Sequence, residues 1–158
     1  MNAMDTHQLI QCLWQDSCTR RHFGNVSPLD MLPATPVTPQ QQIYIVNTDT
    51  HTGPGKHWVL IYLPLNAPGE FFDSLGQDLT TYGSHLECFM ATNRTGYVFN
   101  PQRLQGDYSW TCGHYCLYYA VHRCYGVSPE NIINTFTSNY SFNDDKVLRF
   151  VHDYFDYL

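Results

Sequence analysis

The chain has 158 residues, a length that fits one domain, 1–158, with a proper hydrophobic core. Hydrophobic residues make up 43% and charged residues 14%, which excludes a disordered chain. The net charge is −6, and the eight Lys and Arg are scattered apart from Arg20–Arg21, which disfavours nucleic acid as the main partner.

Asp5 can cap a helix to about Trp14, with Leu9, Ile10, Leu13 and Trp14 as its apolar stripe. Residues 16–42 are polar and carry four prolines, so they read as a connecting loop with a short turn near Ser27–Leu32. IYIVN (43–47) is β-rich, and THTGPGK (50–56) is a Gly/Pro loop. HWVLIYLP (57–64) is apolar enough to be a central strand buried on both faces. NAPG reads as a turn and EFFDS as the paired strand. A helix over 78–92 starts or breaks near Gly83–Ser84, and GYVFN (96–100) is another strand. CGHYCLYYAVHRC (112–124) is a buried helix ended by Gly126. Ser128 and Pro129 start one running to about Phe136. The last helix takes Asn143 as cap and buries Val147, Phe150, Val151, Tyr154 and Phe155. This order predicts an α+β fold, a central mixed β-sheet flanked by helices.

No apolar run reaches the roughly 18 residues of a membrane span. The start of the chain lacks the basic and apolar regions of a secretory leader. An intracellular setting is therefore expected, and there the six cysteines should be free rather than bridged.

Cys112 falls at the first turn of the buried helix, after the polar loop QGDYSWT. Helix N-termini offer unpaired N–H groups and partial positive charge, which favour a thiolate and can hold an oxyanion. Such a nucleophile needs a base held by a third polar group. His57 opens one strand and Asp73 ends its partner, so the hairpin can bring both to one end of the sheet. Gln105, seven residues before Cys112, can supply an amide to the oxyanion. Gly113 would let a substrate approach closely. On these residues alone, His57 could equally be a packing residue, Asp73 a turn former and Gln105 plain loop.

Three blocks make the chain recognisable. IVNTDTHTGPGKHW (45–58), EFFDSLG (70–76) and QGDYSWTCGHYC (105–116) resemble the His-Trp, acidic and Gln-Gly…Cys-Gly blocks of adenain. Adenain is the maturation protease of adenoviruses, built on a core shared with SUMO- and ubiquitin-like-protein proteases. FGNVSPLDML (23–32) matches less specifically. The resemblance implies Cys112 as nucleophile, His57 as general base, Asp73 as its orienting residue and Gln105 as oxyanion donor. It implies Trp58 as a wall of the substrate groove, with Gly55 in the loop beside it. It also implies cleavage after small residues, typically glycine. Asp73 stands where adenain has Glu, as in the SUMO proteases.

The family's activators are DNA and a peptide disulfide-bonded to a cysteine shortly before the Gln. The matching position falls near Arg94, with Cys88 the nearest cysteine, so no cofactor is required by the sequence. The reading is a monomeric cysteine endopeptidase of a virus or virus-like element. It would process structural precursors in the host cytoplasm or nucleus, or inside the particle. An isopeptidase for ubiquitin-like modifiers is the alternative, and a non-enzymatic binding module a third reading. Cys12, Cys18 and His22, and separately His114, Cys116, His122 and Cys124, invite zinc. Neither set has the paired spacing of a structural site, so no metal is expected. Cys116 and Cys124 read as small buried residues.

Overall fold

In the computed structural model, residues 3–156 are described; the outermost residues of the predicted domain, including the last two of the C-terminal stretch, lie outside that range. The chain runs α1 (Thr6–Gln15), α2 (Ser17–Arg21), β1 (Phe23–Pro28), β2 (Ile43–Asn47), β3 (Trp58–Tyr62) and β4 (Gly69–Phe72). It continues with α3 (Ser84–Asn93), β5 (Tyr97–Phe99), α4 (Cys112–Cys124), α5 (Pro129–Ile133) and α6 (Tyr140–Tyr154). The strands form one sheet in the order β1-β2-β3-β4-β5. The outer pairs are parallel and the pairs on either side of β3 antiparallel, so the expected mixed sheet of an α+β fold is present.

Strand β3 is buried at every position because both faces of the sheet are covered. Trp58, Leu60 and Tyr62 face α1, α4 and α6, whereas Val59, Ile61 and Leu63 face Leu86, Phe89 and Met90 of α3. Alternation along the strand thus feeds two cores, which is why its sequence reads as one unbroken apolar run. Among the described residues no helix is long and apolar enough to cross a membrane.

Several elements differ from the expectation. Residues 16–42 hold more than a loop: Asp16 accepts from the backbone of Cys18 and Thr19 and so caps α2. FGNVSP forms β1, parallel to β2, despite its Gly and Pro. On α1 Cys12 is buried together with Leu9 and Leu13, while Trp14 is half exposed. Asn139 caps α6 through the Phe142 N–H. Asn143 lies inside that helix, fully buried, where it joins Thr137 to the Leu104 carbonyl.

The cysteine expectation is also corrected. Cys18 and Cys124 form a disulfide between α2 and the end of α4. Cys124 is therefore a cross-link rather than a small packing residue. Cys12, Cys88, Cys112 and Cys116 are free.

Candidate active site

His57 immediately precedes β3, and Asp73 immediately follows β4. The two strands run antiparallel with Leu60 opposite Phe72, so both residues reach the same end of the sheet. There His57 Nε2 lies 2.7 Å from Asp73 Oδ1. Nδ1 is thereby left as the ring nitrogen for the other side, where Cys112 neighbours the ring at the groove. Burial works against charge on the imidazole. The neighbouring Asp73 carboxylate and Cys112 outweigh it and raise the His57 pKa to about 9. At neutral pH the ring is protonated.

Asp73 has no solvent exposure and is held on every side. Its Oδ1 also accepts the Leu75 N–H, and its Oδ2 accepts the Tyr82 hydroxyl. Asn100, at the end of β5, donates to the Asp73 carbonyl at 2.7 Å and accepts its N–H at 3.1 Å. A buried carboxylate persists only with such partners.

Cys112 is the first residue of α4, and Thr111 before it makes no side-chain cap. The first-turn N–H groups of α4 are thus not taken by a capping side chain. The Cys112 sulfur accepts the Trp58 N–H at 3.4 Å. Burial raises the Cys12 thiol to about 12 and holds the Cys116 thiol well above its ordinary value.

Gln105 is buried beneath the loop that leads to Cys112. Its carbonyl accepts the Ser74 hydroxyl at 2.6 Å, and its amide nitrogen donates to the Ser109 carbonyl at 2.9 Å. One N–H of that amide is so occupied, and the other is not used by those bonds.

A groove of about 380 Å³ opens beside Cys112, His57 and Trp58. Its far wall is the 50–56 loop, including Gly55, with Met4 and Asn47 adjoining. The loop is braced from within. Asn47 Oδ1 accepts the Asp49 and Lys56 N–H groups, and Asp49 Oδ2 accepts that of Gly55. Gly55 has a φ of 95°, a left-handed conformation that favours glycine. The Trp58 indole donates to the Met4 carbonyl at 2.8 Å, which fixes the ring in the groove floor.

Gly113 does not line this groove. A Cβ there would sit 3.3 Å from Met4 Cβ and 3.4 Å from Leu9 and Trp58. Its smallness lets α4 close on α1 and Trp58, which corrects the expectation of substrate approach at that position.

His57, Asp73, Cys112, Trp58 and Gly55 are therefore together, with Gln105 buried behind them. Tyr82, Asn100, Ser74 and Met4 were not foreseen. Tyr82, Asn100 and Met4 come from separate segments that no short-range pattern marks, whereas Ser74 directly follows Asp73 within EFFDSLG.

No family model matches the chain. Among curated proteins it is 33% identical over 104 residues to "Cysteine protease S273R" of African swine fever virus. That match covers 58% of this chain and 37% of the relative, so it spans little more than a third of that protein. Among solved structures, the ASFV pS273R protease is 24% identical with a TM-score of 0.42, covering 67% of this chain and 43% of that one. The central domain of Lpg1148, an uncharacterized protein from Legionella pneumophila, is 17% identical with a TM-score of 0.49, covering 97% and 95%. The chain is thus distantly similar to a viral cysteine protease, and the supported resemblance is to that broader class rather than to adenain in particular.

Proposed function

We propose that the chain is a cysteine protease in which Cys112 is the nucleophile, His57 the proton carrier and Asp73 its orienting carboxylate. The observation that carries this is the His57 ring, held at Nε2 by buried Asp73 at 2.7 Å and lining the same groove as Cys112. The similarity to a viral cysteine protease supports the same reading.

The Cys112 sulfur attacks the carbonyl carbon of the scissile bond, and the C–N bond breaks as His57 gives its proton to the leaving amine. Negative charge on the carbonyl oxygen is met by the backbone N–H of Cys112 and the free N–H of Gln105. Water then attacks the thioester, giving its proton to His57, and the carboxylic product leaves. The site is preorganised because each group is fixed by packing or hydrogen bonds before substrate arrives.

We assign the substrate as an extended polypeptide with glycine at the cut, threaded between Trp58 and the 50–56 loop. Trp58 is buried in the groove floor and the loop wall is braced by Asn47 and Asp49, so the channel has a fixed shape beside Cys112. Structural precursors of a virus or virus-like element are the proposed natural substrates. Peptide-library cleavage by the wild type beside Cys112→Ala tests the reading. The variant should lose cleavage, and with it the glycine preference, while keeping its circular dichroism. Retained hydrolysis would exclude Cys112 as nucleophile.

A further inference from the structure

Cys18 and His22 stand four residues apart on and just after α2, so they share one face of that turn. Cys124 ends α4 and meets them from across the fold. One ligand atom from each of the three lies within 4.8 Å of the others. The disulfide uses only two of them. His22 remains beside the sulfurs, and its Nδ1 is buried without a hydrogen-bond partner. A buried ring nitrogen left unpaired is costly, so it points to a group that is not a protein side chain. The α4 C-terminus adds partial negative charge at Cys124, which favours a cation there.

We propose that the chain, in its dithiol form, binds a thiophilic divalent cation through Cys18, His22 and Cys124. Two thiolates and an imidazole suit zinc, and they do not suit magnesium or calcium. Water completes the tetrahedron. Binding releases the two thiol protons to solvent, and it is exclusive with the disulfide, which leaves no thiolate to coordinate. The ion would replace the disulfide as the tie between the α1–α2 corner and α4. This site is distinct from the groove. It lies at the opposite end of α4 from Cys112, about 18 Å along the helix at 1.5 Å per residue over twelve steps. Sequence spacing could not show it, because its ligands come from two groups separated by 106 residues.

Cobalt(II) tests the assignment in Cys112→Ala protein, which removes the groove thiol as a competing ligand. A water-soluble phosphine with water reduces the disulfide to two thiols and the phosphine oxide. The reduced chain should then take up one cobalt per chain, with thiolate-to-cobalt charge-transfer absorption, and zinc should displace it. The oxidised chain should take up none. Cys18→Ser, Cys124→Ser and His22→Ala should each weaken uptake by roughly tenfold or more, since loss of even a supporting residue costs about that. Absence of the charge-transfer band in the reduced chain overturns the proposal without recourse to any variant. So does uptake that Cys18→Ser and Cys124→Ser leave unchanged. None of these readouts depends on peptide cleavage.

Discussion

His57 meets opposing influences, and the balance between them makes a testable pH dependence. Burial disfavours the imidazolium, while Asp73 and Cys112 favour it more, and the pKa rises from 6.5 to about 9. A raised pKa in the folded state means that this pairing stabilises the fold fully below the ordinary 6.5. That contribution fades as pH rises through about 9. Because the leaving amine needs the same proton, kcat/KM should fall on the alkaline side with an apparent pKa near 9. A profile flat to well above that value would contradict the assignment of His57 as acid. Tyr82 supports the same ring through Asp73 Oδ2. Tyr82→Phe removes one hydrogen bond to a buried charge, so unfolding titrations should show a loss of about 1.5–3 kcal/mol. Its kcat should fall more than its KM rises, since the groove itself is untouched. Unaltered stability and kcat would count against this support. Cys112, His57 and Asp73 could be singled out as candidates in the sequence because each belongs to a block of neighbouring residues. Tyr82 and Asn100 could not be, because their roles exist only once β4, β5 and the intervening loops are assembled.

Between elements, a bidentate ion pair joins β4 to α4. Glu70, nearly buried, receives Arg123 at both carboxylate oxygens at 2.8 Å and the Tyr119 hydroxyl at 2.6 Å. Arg123 also lies over the Tyr62 ring. Asp73 immediately follows β4 and α4 begins at Cys112, so this tie fixes the two elements that carry the proposed nucleophile and orienting carboxylate to one another. Replacing Arg123 by Met leaves the Glu70 charge unpaired, at a cost of about 3–5 kcal/mol. Urea unfolding should register that as a lower midpoint. A midpoint shift of only a few tenths molar would show the pair to be far weaker than its burial implies. Elements with strong local signals, such as β3 and α4, were legible as sequence. Strand β1 was not, because Gly24, Asn25 and Pro28 give it weak propensity and its partner comes fifteen or more residues later. Helix α2 is only five residues long and depends on the Asp16 cap. Asn143 imitates a cap in sequence, yet its amide is spent on loop carbonyls.

Across the whole molecule, the sheet divides two cores, and the groove opens where the start of β3, the end of β4 and the N-terminus of α4 converge. The larger core packs α1, α4 and α6 on one face and holds Cys112 against Trp58. The Cys18–Cys124 pairing was invisible in sequence because only the finished fold brings the α1–α2 corner to the end of α4. This architecture leaves Cys88 exposed and Cys12 and Cys116 sealed inside, so the free thiols form an internal control. The most direct test is labelling with a short peptide ending in a glycine vinyl sulfone, followed by mass mapping of the adduct. The account predicts rapid modification of Cys112, slow modification of exposed Cys88, and loss of the Cys112 reaction in His57→Ala. Equal labelling of Cys88 and Cys112, or labelling of Cys112 that is indifferent to His57, would contradict it.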